Sequence, residues 1–201
     1  MSFFNENPKS IFENIKQLLY LGTKDRHHSF HTPVFTNINQ KNNPVSRIVV
    51  LRHFDEENLI LNFHTDFRSP KVADLQNNNY SSFVFYDPKL KIQLRIKSLS
   101  SINHKNKIAK LFWDKTKLSS RKCYLTQKNP SSLTSKPEDG IPKHLMGTDP
   151  SLGESEKGYQ NFAVIQNKAE EIDWLYLDAS GHKRLKIKIF NNEQIFNWVI
   201  P

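Results

Sequence analysis

Between Phe30 and Ile96 the chain keeps turning back on itself. Short runs of β-branched and aromatic residues are separated by polar turns, and a single helical stretch interrupts them. Phe30 to Asn37 and Ser46 to Phe54 read as strands, Asp55-Glu56-Glu57-Asn58 as a turn, and Leu59 to Thr65 as the return strand of a hairpin. Ser69-Pro70 opens the helix carrying Val72, Ala73 and Leu75, since serine suits the N-cap and proline the first helical position. Tyr80 to Tyr86, the turn Asp87-Pro88-Lys89 and the alternating Ile92, Leu94 and Ile96 form a second hairpin. Strands this close, without regular strand-helix alternation, predict a mainly antiparallel barrel with helical additions.

The flanks add less. Asn7-Pro8-Lys9-Ser10 precedes Ile11, Ile15, Leu18 and Leu19, whose spacing predicts an amphipathic helix over 8–21. His104 to Lys117 has helical spacing through Ile108, Leu111 and Phe112, and Leu118 to Leu125 suits a second short helix. Residues 127–160 are rich in Pro, Ser, Gly and Lys and predict a long mobile loop. The β signal returns at Phe162 to Ile165, Trp174 to Leu177, Arg184 to Phe190 and Phe196 to Ile200, for roughly six to eight strands in all. A chain of 201 residues is expected to form one domain spanning 1–201. Its single cysteine, Cys123, rules out an internal disulfide or a cysteine zinc cage and suits a cytoplasmic setting. Neither a signal peptide nor a membrane span is expected, and no metal site is, because His27, His28 and His31 lack the cysteine or acids that would complete one.

Twenty-nine basic side chains against 20 acidic ones give a formal charge of +9, which favours an anionic partner. Arg47 and Arg52 are five positions apart and would face opposite sides of a regular strand, so at least one needs an anion. Further along, His64-Thr65-Asp66-Phe67-Arg68-Ser69-Pro70-Lys71 sets a lysine beside a helix N-terminus, where free amides and the helix dipole favour phosphate.

These residues, with Gln93-Leu94-Arg95, resemble the pyridoxamine 5'-phosphate oxidase family, in which order and spacing agree over residues 44 to 125. The resemblance implies an antiparallel split β-barrel of the FMN-binding type, a homodimer with FMN between its subunits, and hydride transfer from a small substrate, a phosphorylated amine among the candidates, to flavin N5. It implies that Arg47 and Lys71 hold the cofactor phosphate with Thr65 and Ser69, that Gln93 meets the isoalloxazine edge, and that Trp174 and Arg184 reach the flavin from the second subunit. Arg52 would touch cofactor and substrate, and Tyr124, Lys128, Ser132 and His182 would serve the substrate. No dedicated catalytic acid or base is implied.

The chain departs from the family pattern in places. Pro70 stands where a second basic residue is usual, leaving Arg68 to reach in; Arg52 replaces a lysine, Lys128 an arginine, and Ser180 the arginine before His182. His64 reads either as a cofactor contact or as an ordinary half-exposed histidine. Two other functions remain open: an FMN binder with little turnover, and a basic nucleic-acid module without cofactor that uses the seven lysines and one arginine between His104 and Lys128. The packing reading of Ile108, Leu111 and Phe112 makes nucleic acid the weaker expectation.

Overall fold

The computed structural model describes residues 6–191 and 193–201. Helix α1 (Pro8–Lys24) starts at Pro8, and the Asn7 side chain accepts the Lys9 amide at 2.9 Å. Ile11, Phe12, Ile15, Leu18 and Leu19 are all buried, as the spacing predicts. The helix outruns the expected end at residue 21 because Gly22 stays within it. A Cβ at Gly22 would lie 2.7 Å from the Phe30 carbonyl oxygen, so glycine is what lets the following loop lie against the helix.

Strands β1 (Val34–Ile38), β2 (Pro44–Ile48), β3 (His53–Asp55) and β4 (Ile60–Asp66) come next, then helix α2 (Pro70–Asn77) and strands β5 (Tyr80–Asp87) and β6 (Ile92–His104). Helices α3 (Lys107–Lys115), α4 (Leu118–Arg121) and α5 (Leu152–Glu156) lead to β7 (Phe162–Tyr176), β8 (Lys183–Phe190) and β9 (Glu193–Val199). All pairings are antiparallel in one nine-stranded sheet. Both predicted hairpins, β3–β4 and β5–β6, are present.

Strand β7 is the spine. One edge pairs along its length with β6, while the other pairs first with β4 and then, from Glu171 onward, with β8. Two separate strands were expected here, because Gln166 to Glu171 is polar. Within that stretch Asn167 is fully buried: its amide donates to the Leu61 carbonyl at 2.8 Å and its oxygen accepts from Ser100 Oγ at 2.7 Å. A satisfied polar residue therefore occupies a core position that the apolar pattern leaves blank.

The stretch predicted as one strand over Ser46 to Phe54 is also different. It leaves β1 after Ile48 and changes partner: the Val49 and Leu51 amides donate to the Pro33 and His31 carbonyls, and the Arg52 amide donates to the Asn62 carbonyl. This crossing joins the β1 side of the sheet to the β4 side and curls the sheet around a core of Phe30, Phe35, Phe63, Phe83 and Phe85. The Phe35 and Phe63 rings are 4.8 Å apart.

A second, smaller core holds Ala109, Trp113, Phe162 and Val164. Ile108 and Leu111, expected to pack, are instead exposed, so the buried face of α3 is the one that carries Trp113. Residues 127–160 contain two 3-10 turns and α5. Among the described residues no helix is long and apolar enough to cross a membrane.

Arg121 fastens the end of that segment. Its guanidinium is buried 4.6 Å from the Trp113 ring, donates to the Thr116 and Trp113 carbonyls at 3.0 and 2.9 Å and to Ser155 Oγ at 3.2 Å, and pairs with Glu156 at 2.6 Å. Arg121→Ala would leave those acceptors without a donor. We expect a loss of roughly 2–4 kcal/mol of stability in urea unfolding, with faster proteolysis within 127–160. An unchanged midpoint and cleavage pattern would refute the fastening role.

Candidate cofactor site

The crossing between β2 and β3 brings to one place residues that a regular strand would separate. Arg47 and Arg52 both line a cavity of about 280 Å³, together with Val49, Thr65, Lys71 and Tyr124. The expectation that the two arginines face opposite ways fails because Val49 to Leu51 is not part of a regular strand.

Lys71, in the first turn of α2, donates to Thr65 Oγ1 at 3.0 Å. Burial first, and then the charge of Arg47, push its pKa below the ordinary lysine value, with Asp66 opposing. Arg47 is likewise lowered by burial, against the pull of Asp74. Among the described residues neither cation makes an ion pair. Ser69 occupies the N-cap position but makes no capping bond, and its hydroxyl lies 3.5 Å from Thr65 Oγ1.

Two residues that sequence reasoning missed orient Arg47. The Asn37 oxygen accepts from the guanidinium, and the Asn37 amide donates to Asp74 Oδ2 at 3.2 Å. Asn37 and Asp74 are buried. A carboxylate on one side and a cation on the other fix the amide orientation. The available sequence signal was a lone aspartate between Val72 and Leu75 on the buried side of α2.

Other assigned residues lie elsewhere. Arg68 does not replace the basic group lost at Pro70: it grips Asp66 at 3.0 and 2.7 Å and donates to the Thr126 carbonyl and hydroxyl at 3.1 and 2.9 Å. Trp174 is only 3% exposed, packed in the core because its position on β7 points inward. Arg184 holds Asp173 at 3.0 and 2.8 Å, and Arg95 holds the same carboxylate at 2.6 Å. Gln93 is half-buried on β6, paired in register with Tyr86 and Leu175. Of the substrate set, Arg52 and Tyr124 line the cavity. Lys128 instead pairs with Glu138, Ser132 is exposed, and His182 accepts the Asp178 amide at 3.1 Å in the β7–β8 turn.

A second cavity of about 950 Å³ adjoins the first and shares Arg52, His64 and Tyr124 with it. It lies between α3 and the face of the sheet that carries His53, Asn62 and His64. His64 is half-buried; its Nε2 is buried without a partner, and its ring lies 5.6 and 4.8 Å from those of Phe112 and Phe162.

The family model described as "Pyridoxamine 5'-phosphate oxidase, FMN-binding domain" matches residues 13–116, more than half of the chain. The chain belongs to this family. Its cofactor is FMN, and the donors around Arg47 fit a phosphate monoester: two desolvated cations, two hydroxyls and a helix N-terminus, with no carboxylate lining the cavity. The pyridoxine/pyridoxamine 5'-phosphate oxidase of Legionella pneumophila is 33% identical over 64 residues, which span 32% of this chain and 29% of that protein. A pyridoxamine 5'-phosphate oxidase-related, FMN binding protein from Nostoc punctiforme superposes with a TM-score of 0.76 at 17% identity, covering 94% of this chain and 96% of that one. PhzG from Burkholderia lata, solved with tetrahydrophenazine-1-carboxylic acid, gives 0.70 at 12% identity over 100% and 97%. The shared fold is the split barrel of FMN-binding proteins.

Burial first, and Arg52 second, push the His64 pKa from 6.5 down to about 3. The unfolded chain therefore binds the extra proton between those values, so this histidine lowers stability as pH falls from 6.5 toward 3, by at most about 1.4 kcal/mol per pH unit. In NMR titration its ring resonances should stay flat from pH 8 to about 4.5. A midpoint near the ordinary histidine value would contradict this burial.

Proposed function

We propose that the chain is an FMN-dependent oxidoreductase that holds the cofactor phosphate in the smaller cavity and turns the reacting face of the flavin toward the larger one. The observation that carries this reading is the convergence of Arg47 and Lys71, both partly desolvated and, among the described residues, neither ion-paired, at the start of α2. Two partly buried like charges repel, and a dianionic phosphate removes that penalty.

When bound, FMN would supply the two-electron chemistry, accepting hydride at N5. The chain's own residues bind and orient. Arg47, steadied by Asn37 and Asp74, and Lys71, steadied by Thr65, grip the phosphate, and Ser69 offers a further hydroxyl. Arg52, on the wall of both cavities, can meet cofactor and substrate together. Phe112, whose ring lies 5.6 Å from that of His64, and Tyr124 give apolar surface beside this junction. A homodimer belongs to this proposal, with Gln93 and Arg184 offered to the partner's flavin; Trp174 is not offered, because its own core buries it.

One observation favours the second reading, an FMN binder with little pyridoxamine phosphate oxidation. Lys128, Ser132 and His182, the expected substrate group, engage local partners or solvent and line neither cavity. The reading as a nucleic-acid module without cofactor loses ground to the FMN-binding family match.

Arg47→Ala with Lys71→Ala should weaken FMN binding on the order of 10³-fold in flavin-fluorescence titration, since two charge-assisted contacts to a dianion disappear. Asp74→Asn, which leaves both cations present but slackens Arg47, should cost roughly tenfold. Retention of FMN by the double variant would exclude this phosphate site. Anaerobic bleaching of the bound flavin by a substrate panel tests the oxidoreductase assignment, and bleaching by no substrate would favour the binder.

A further inference from the structure

We infer that Lys41, at the tip of the β1–β2 hairpin, is a third cation for the cofactor phosphate and supplies from a different element the charge that Pro70 lacks. The inference rests on the proposed phosphate site, to which it adds a residue outside the run from Arg47 to Lys71.

The geometry begins with the hairpin. Asn37 stands opposite Val45 in register and Arg47 opposite Phe35, so the guanidinium that meets the Asn37 oxygen leans along the hairpin toward its tip. Four hydrogen bonds hold that tip. Asn39 Oδ1 accepts the Lys41 and Asn43 amides at 2.9 and 3.0 Å, the Asn39 amide donates to the Asn43 carbonyl at 2.9 Å, and the Asn42 amide donates to the Asn39 carbonyl at 2.9 Å. Asn42, with φ of 59°, takes the left-handed conformation that asparagine tolerates. Lys41 therefore springs from a defined backbone.

A third cavity, of about 710 Å³, lies where this tip meets the start of α2. Arg47 and Lys71 line it as well as the smaller cavity, and Lys41, Ser69 and Ser131 join them there. An anion gripped by Arg47 and Lys71 is thus open to this outer space. Its one carboxylate, Asp74, already accepts Asn37 Nδ2 at 3.2 Å, whereas Lys41 is exposed and, among the described residues, makes no ion pair.

A phosphate monoester near neutral pH is close to a dianion and offers three strong acceptor oxygens. Arg47 spends a donor on Asn37 and Lys71 spends one on Thr65, while Arg68 is held by Asp66. Of the other residues lining the outer cavity, Lys41 alone is positively charged. An ammonium arriving from that side gives the remaining oxygen a charge-assisted donor.

The test titrates the full chain, freed of flavin, with FMN and with riboflavin, which differ by the phosphate alone, and follows flavin fluorescence. Lys41→Gln should weaken FMN about fivefold and leave riboflavin unchanged, Lys41→Glu should weaken FMN roughly 20-fold, and both losses should shrink at high salt. Lys41→Arg should keep most of the FMN affinity, because charge rather than shape is asked of this position. Lys157→Gln removes an exposed lysine that lines neither of the cavities shared by Arg47 and Lys71, and should change FMN affinity by less than about twofold. FMN affinity unchanged in Lys41→Gln, an equal loss for riboflavin, or an equal loss in Lys157→Gln would each overturn the role of Lys41. If Arg47→Ala with Lys71→Ala abolishes the preference for FMN over riboflavin while Lys41→Gln keeps it whole, the phosphate site stands and Lys41 is no part of it. A preference that survives the double variant but falls in Lys41→Gln would retain Lys41 and refute the site at Arg47 and Lys71.

Discussion

The partner change between Ile48 and His53 is the constraint on which the rest of the molecule depends. Three amides in four residues donate to carbonyls on two sides of the sheet, Val49 and Leu51 toward Pro33 and His31, Arg52 toward Asn62. An extended chain that served one neighbour throughout would leave the sheet open and its core phenylalanines wet. By serving both, it curls the sheet around Phe35 and Phe63 and gives its own backbone to the wall of a cavity. Curvature and site therefore share one cause. Arg47, just before the crossing, and Arg52, within it, face the same space because the strand is irregular there.

Much of this was legible in the sequence. Ser69-Pro70 marked the start of α2, polar turns marked both hairpins, and the run from Arg47 to Lys71 contains the two cations that converge. What was illegible depended on register and on satisfied polar groups. Asn167 breaks the apolar pattern of β7 yet sits in the core with its bonds made, so one strand read as two. Trp174 has the residue type and spacing of a cofactor contact, but a residue of a strand faces one side only, and at that register the side is inward. Arg68 was expected to replace the missing basic group, and a neighbouring aspartate two positions earlier claims it. The family resemblance grouped Lys128, Ser132 and His182, whereas Lys128 pairs with Glu138, Ser132 is exposed and His182 accepts the Asp178 amide.

Electrostatics explains why the convergent cations need support. Burial lowers the preference of both Arg47 and Lys71 for charge, Arg47 lowers that of Lys71 further, and the energy of holding them there has to be met locally. Asp74 is near enough to favour the charge on Arg47, but it acts through Asn37 rather than by direct contact. A direct ion pair would neutralise the guanidinium and draw it out of the cavity. An intervening amide steadies the guanidinium while leaving part of its charge and its remaining donors for an anion.

The junction of the two cavities narrows the chemistry further. Its shared residues are Arg52, His64 and Tyr124. Arg52 brings a guanidinium; burial holds His64 neutral down to about pH 3, and burial also raises the Tyr124 pKa so that the phenol keeps its proton. Neither His64 nor Tyr124 changes protonation near neutral pH, so neither is suited to exchange a proton with a bound molecule. A junction with a fixed cation, a neutral imidazole and an intact phenol can position and polarise a bound molecule. Under the proposed oxidoreductase reading, the bond-breaking step comes from a cofactor that brings its own reactive atoms, consistent with the two partly desolvated cations beside this junction fitting the phosphate of FMN.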